Sequence, residues 1–170
     1  TLETAAAWYS ALTSGHPTAI CLTRQKVKPY CKSMDDALKG GYILENSVKP
    51  VPDCLIIATG SELEIAVEAR KLLLKQGYDA RVVSMPSIEV FESQNTKYRE
   101  SVIPSKVTAR VCVEAGSSYS WYKYAGLNGE LVCMDRFGLS GKYPELFKYF
   151  GFTAENVAEK ALLSIQKNKR

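Results

Sequence analysis

From Cys54 onward the chain alternates two patterns. Short apolar runs with no polar face read as strands buried on both sides. Between them, apolar side chains recur every three or four positions, as on one face of a helix. The runs are CLIIATG (54–60), ARVVSM (80–85), ARVCVEAG (109–116) and ELVCMD (130–135). Helices are predicted over 61–76, in two short pieces over 87–103, as a single turn at WYKYAG (121–126), and over 143–150 and 154–167. In the first of these, Leu63, Ala66, Val67, Leu73 and Leu74 form the inward face, and Gly77 is suited to the left-handed position after the helix. Strands alternating with helices give an α/β fold: an open three-layer αβα sandwich on a mostly parallel sheet.

The upstream third is less regular. Residues 2–13 carry Leu2, Ala5, Ala6, Trp8, Tyr9 and Leu12 at near-helical spacing. SGHP breaks that helix, and TAICL (18–22) reads as a short buried strand. A polar loop, TRQKVKPYCKS, follows, and MDDALKGGYIL then reads as a short helix, a turn and an extended segment. ENSVKPVPD, with prolines on both sides of Val51, is the linker signal, placing a boundary at residues 46–52. Residues 1–45 thus belong with a different α/β unit from residues 53–170. The chain opens in mid-helix without an initiator methionine, which is expected of a piece of a longer polypeptide.

Composition narrows the function classes. The 22 basic and 18 acidic side chains leave +4, too mild for a nucleic-acid surface, and no Lys/Arg stripe with interleaved aromatics occurs. No apolar run approaches a membrane span. The five cysteines form no C-x-x-C pair, and Cys54, Cys112 and Cys133 lie in apolar runs, so reduced structural thiols in a cytoplasmic protein are expected.

Candidate chemistry concentrates where strands end. Thr59-Gly60-Ser61 between a strand and a helix has the layout of an anion-binding turn. Against it, Ser61 and Glu64 have capping-box spacing, and Glu62 and Glu64 put negative charge where a phosphate would sit. Glu114 and Asp135 fall at strand carboxyl ends and could serve as acid and base, or pair with Arg136. The single histidine, His16, reads as a loop residue, and Ser117, Ser118 and Ser120 lack both a nucleophile elbow and a base. No cluster has metal-ligand spacing. Tyr119, Trp121, Tyr122 and Tyr124 read as core or interface rather than as a ligand platform. Arg24, just past the predicted 18–22 strand, can grip a phosphate with its planar fork or form a surface ion pair.

Taken together these segments resemble the C-terminal end of transketolase. ETAAAW, PTAICLTRQ, GGYIL, IATGSELEIAVEA, ARVVSMPSIEVFESQ, YRESVIP, VTARVCVEAG, WYKYAGLNG and MDRFGLSGKYPELFKYFGFTAENVAEKA occur in family order and cover nearly the whole chain. The resemblance implies an enzyme moving a two-carbon ketol unit between sugar phosphates in the pentose phosphate pathway. It implies thiamine diphosphate and Mg²⁺ (or Ca²⁺) as cofactors of a cytoplasmic homodimer. Residues 1–45 then resemble the tail of the pyrimidine-binding domain, and 53–170 the C-terminal domain. Arg24 in Thr23-Arg24-Gln25 matches the arginine that grips the substrate phosphate; Lys26 departs from the Asn common there. The cofactor and metal ligands of the family match nothing in this chain, so neither group is expected to bind it alone. The expected partners are the rest of the subunit, a second subunit and sugar phosphates, with no nucleic acid or membrane. A dihydroxyacetone synthase-type relative and a non-catalytic association or regulatory module are the alternatives.

Overall fold

The buried runs assemble into one sheet. In the computed structural model, which describes residues 2–169, the chain order begins with α1 (Leu2–Thr13), α2 (Met34–Ala37), β1 (Tyr42–Glu45), β2 (Cys54–Ala58) and α3 (Glu62–Lys75). It continues with β3 (Ala80–Ser84), α4 (Ile88–Glu92), α5 (Thr96–Val102) and β4 (Arg110–Val113). A 3₁₀ turn (Tyr119–Trp121) then runs into α6 (Tyr122–Ala125), followed by β5 (Glu130–Val132), α7 (Tyr143–Tyr149) and α8 (Ala154–Lys167). The strands lie in the order β1-β3-β2-β4-β5, all parallel except β1, which runs against β3.

Alternation along each strand divides the core into two layers. Cys54, Ile56, Ala58, Val82, Val111 and Val113 face α3 and α8. Leu55, Ile57, Val83 and Cys112 face the opposite way, toward Met85, Phe91, Val102, Trp121 and Tyr124. Both faces are apolar because both are covered, which makes the αβα sandwich expected from the pattern.

Helix ends are well specified. Ser87, Asn95 and Thr153 each accept a hydrogen bond from the backbone N–H three residues on, starting α4, α5 and α8. At the end of α3, Gly77 (φ 82°) takes the left-handed position. Its N–H bonds Leu74 O and the Tyr78 N–H bonds Leu73 O, the paired bonds of a Schellman closure. Leu63, Ala66, Val67 and Leu73 are buried as expected, but Leu74 is 39% exposed. Ala69 joins the core instead, which shifts the centre of the buried stripe and leaves Leu74 at its margin.

Two expectations upstream need correction. Residues 18–22 form no strand. An extended segment needs a neighbour's N–H and C=O groups, and among the described residues no strand lies beside it; Leu22 is 63% exposed. Second, residues 42–45, expected to belong with the upstream unit, are part of the main sheet, with Tyr42 opposite Ser84 and Ile43 opposite Val83. Segment 46–52 therefore joins two strands of one sheet. Its Pro50 and Pro52 mark a break in regular structure, and such a break separates strands as readily as it separates domains.

Helix α1 is tied to this sheet edge by one carboxylate. Glu3 Oε1 accepts from Tyr42 Oη at 2.8 Å and from Ser84 Oγ at 2.6 Å. Burial of the Tyr42 ring pushes its phenol pKa far up, so it stays a donor. Ala6 buries beside Tyr42 and Ala37, whereas Trp8, Tyr9 and Leu12 face outward.

Candidate functional site

The carboxyl ends of β2 and β4 converge with the loop that carries Arg24. After β2 the backbone turns at Gly60, whose φ of +48° lies in the left-handed region that favours glycine. Helix α3 then starts tightly: Glu62 N–H donates to Thr59 O at 3.0 Å and Leu63 N–H to Gly60 O at 3.4 Å. The expected capping box is absent. Ser61 is already helical (φ −68°, ψ −24°) and its side chain caps nothing. Its hydroxyl instead donates to the Glu62 carboxylate, and Glu64 pairs with Lys28. A capping box needs an extended residue at the cap, and the turn at Gly60 brings Ser61 into the helix one residue too early for that.

Two carboxyls fill the mouth of this turn. Glu114, just past β4, accepts from Thr59 Oγ1 at 2.6 Å. Burial raises its pKa, with the Thr59 bond acting against the rise. Glu62 is 3% exposed. Burial pushes its carboxyl up to about 7; the Ser61 hydroxyl opposes the rise and the nearby Glu114 charge adds to it. The Thr59–Ser61 turn is therefore unsuited to an anion, because its helix start faces two carboxyls. From the sequence, Glu62 reads as negative charge where a phosphate would sit, with its burial unmarked. Its place on the inward stripe, one position before Leu63 and four before Ala66, was the signal of burial.

The Thr23-Arg24-Gln25 segment lies against the same turn. A Cβ placed on Gly60 would stand 3.8 Å from Thr23 Cγ2, so a side chain there would just reach the threonine methyl. Thr23 Oγ1 also donates to Gln25 O at 3.2 Å, tightening the segment. Farther along, Lys28 pairs with Glu64 on α3, and Tyr30 packs on the core layer beneath α3. Arg24 itself is exposed and enters no hydrogen bond or ion pair among the described residues. A guanidinium so placed has all its donors available for an anion.

The remaining candidates are taken up by structure. Asp135 accepts from the Ser118 N–H at 2.9 Å and the Ser117 hydroxyl at 3.4 Å, and the Ser118 backbone bond leads in holding its pKa down. It therefore fastens the loop after β4 to the loop after β5 and does not pair with Arg136. Arg136 instead stacks over Tyr149 and Phe150, 5.8 and 5.5 Å from their ring centres. Asp135 and Glu114 serve separate contacts, which leaves no acid–base pair between them. His16 is an exposed loop residue whose Nδ1 lies 3.3 Å from Pro17 O. The aromatic cluster divides: Trp121 and Tyr124 are core, while Tyr119 (88% exposed) and Tyr122 face outward. All five cysteines are free thiols. Among the described residues no group of three or more His, Cys, Asp or Glu side chains could hold a metal ion. No helix there is long and apolar enough to cross a membrane.

Comparison with known proteins agrees with this architecture. Residues 40–153 match a family model described as the transketolase-like TK C-terminal domain. The chain is 45% identical over 164 residues to transketolase 2 of Vibrio parahaemolyticus, covering 94% of this chain and 25% of that protein. It is 42% identical to transketolase of Bacillus subtilis, covering 97% of this chain and 26% of that one. Among solved structures, transketolase from Leishmania mexicana superposes with a TM-score of 0.89 at 38% identity, over 98% of this chain and 24% of the other. A transketolase from Pichia stipitis in complex with sedoheptulose 7-phosphate superposes at 0.88 with 42% identity, over 98% and 24%. The chain thus spans about a quarter of the length of the relatives it matches. With its strand order, its two-sided core and the sequence matches in agreement, the chain belongs to the transketolase family, as a C-terminal portion.

Proposed function

We propose that this chain is the phosphate-gripping and C-terminal portion of a transketolase subunit. The subunit moves a two-carbon ketol unit between sugar phosphates of the pentose phosphate pathway, as a cytoplasmic homodimer using thiamine diphosphate and Mg²⁺ (or Ca²⁺). Residues 1–45 would stand at the end of the pyrimidine-binding domain, with β1 crossing to the sheet of residues 53–170. The observation that carries the reading is Arg24, exposed and uncommitted among the described residues, in a segment beside the β2–α3 turn. The sedoheptulose 7-phosphate complex of the Pichia relative supports sugar phosphates as the ligand class.

The side chains of this portion do not fit either cofactor. Among the described residues no donor set suits the metal, and the helix start after β2 faces carboxyls that repel a diphosphate. Thiamine diphosphate supplies the carbanion chemistry from elsewhere in the subunit. The role left to this chain is binding. Arg24 holds the sugar's phosphate, and binding energy at that remote group helps fix the reacting carbon in place.

The test is Arg24→Ala in the full-length enzyme. A charged hydrogen bond to phosphate is worth roughly 1.5–3 kcal/mol, so kcat/KM for ribose 5-phosphate should fall about 10- to 200-fold. Glycolaldehyde, which has no phosphate, should lose much less. Equal losses for both acceptors would give Arg24 a folding role and remove the phosphate grip. Arg24→Lys keeps charge without the fork, so an intermediate loss indicates bidentate contact.

A further inference from the structure

The far end of the sheet carries a second concentration of charge. A cleft of about 250 Å³ lies between α4, α5, α6 and the loop entering β4. It sits at the amino end of β4, away from the carboxyl ends where Glu114 and the Arg24 segment are found. The YRESVIP segment (98–104) gives it Arg99, Glu100 and Ile103, while Arg110 and Lys123 line it from β4 and α6.

The cations of this cleft outnumber its carboxylates. Arg99, Arg110 and Lys123 stand against Glu92 and Glu100. Glu92 is shared: its Oε2 accepts from Arg99 Nη1 and from Lys123 Nζ, both at 2.8 Å, and its Oε1 accepts from Tyr124 Oη at 2.5 Å. Glu100 accepts from the Ser105 N–H at 2.9 Å and enters no ion pair among the described residues. Arg110 has no carboxylate partner among them either. Its Nε, Nη1 and Nη2 donate to the carbonyls of Val107, Tyr124 and Pro104 at 2.7, 3.0 and 3.1 Å. Those carbonyls orient the guanidinium without neutralising it. Arg99 is under-bonded: its Nε is buried without an acceptor, and its Nη2 donates to nothing among the described residues. A buried donor left unpaired is costly, and a small turn of the guanidinium toward a bound anion would supply its acceptor.

We propose that this cleft binds a small phosphomonoester, its phosphate held between the guanidinium forks of Arg99 and Arg110. Both forks keep uncommitted N–H groups. They come from different elements, so they suit an oxyanion whose terminal oxygens point in several directions; a planar carboxylate is matched by one fork. The surplus positive charge favours the same ligand. Phe91, Ile103 and Tyr124 are buried beneath and give the cleft an apolar floor for the short carbon skeleton of the ester. The site is separate from Arg24 and does not depend on the reading given to that residue.

Inorganic phosphate and glycerol 3-phosphate are the probes, titrated into the 170-residue chain at constant ionic strength and followed by ¹⁵N NMR, with chloride and acetate as comparators. The Arg99 and Arg110 Nε–H signals and the Ser105 amide should move together on one saturable curve that neither comparator reproduces. Glycerol 3-phosphate should bind more tightly than inorganic phosphate. Arg99→Lys keeps the charge but loses the fork, and should weaken both probes about tenfold or more. Lys123→Gln, at an exposed side chain, should weaken them only about two- to threefold. Arg24→Ala should leave these shifts in place. Shifts confined to Thr23, Arg24 and Gln25 would overturn the proposal, as would equal shifts with chloride or acetate, or an affinity that Arg99→Lys leaves unaltered. An ester no tighter than inorganic phosphate would overturn the small-molecule ligand. The comparator titrations decide the matter even where Arg99→Lys does not fold.

Discussion

The two parts of this chain treat the same kind of apolar sequence in opposite ways. CLIIA at 54–58 is wholly buried, flanked on both sides by strands and covered on both faces. TAICL at 18–22, equally short and apolar, stays largely exposed without a ladder. Composition is nearly constant between them; what differs is whether a neighbour supplies hydrogen bonds and a covering helix. Burial in a sheet belongs to the pairing, not to the run.

That contrast can be broken by matched truncations. Leu73 in α3 is fully buried between the sheet and its neighbours, so Leu73→Ala should cost about 2–5 kcal/mol in denaturant melts. A loss below about half a kcal/mol would refute the assigned inward face.

A second, comparably large effect separates buried charge from buried hydrocarbon. Glu62 has its pKa raised from 4.5 to about 7, so the folded state holds a proton that the unfolded chain releases at lower pH. Stability must therefore fall as pH rises between those two values and level off above them, by up to about 3 kcal/mol. Glu62→Gln should flatten that part of the stability–pH curve and stabilise the chain above neutral pH. A wild-type curve without the decline would contradict the burial of a charge-seeking carboxyl there.

The junction between the two parts should be of intermediate strength. Glu3→Ala strips the Tyr42 and Ser84 hydroxyls of their acceptor, and should cost about 1–3 kcal/mol, read by denaturant melts. Glu3→Gln should recover part of it, since an amide oxygen still accepts. Smallest of all, Leu22→Ala should change stability by less than about half a kcal/mol in the isolated chain, because Leu22 buries little. The same substitution in a full-length subunit should cost more if another strand covers that segment there.

The legibility of the fold follows the same division. Strands β2 to β5 and the helices between them were readable because their apolar periods were unbroken and glycines and caps fell at the element ends. Strand β1 was not assigned to its sheet: YILE carries no mark of which sheet accepts it, and the prolines after it suggested a boundary. At the site, the strand-like run before Arg24 and the family motif singled that residue out, and its phosphate grip stands as the proposal above. The Thr59–Glu114 bond was not legible, since it depends on β2 and β4 being adjacent, which is a fact of topology with no signature in local spacing.

Strand β1 has one more implication. It is held in the main sheet by β3, which follows it in the chain by almost forty residues, while the segment joining β1 to β2 lies on the surface, with Val48 and Val51 exposed. The covalent link there is thus redundant with the hydrogen-bonded one. A protease nick at Val48–Val51 would leave two polypeptides that stay together through the β1–β3 ladder and the Glu3 clasp, migrating as one particle until denatured. The physical unit and the genetic unit need not share a boundary at this position.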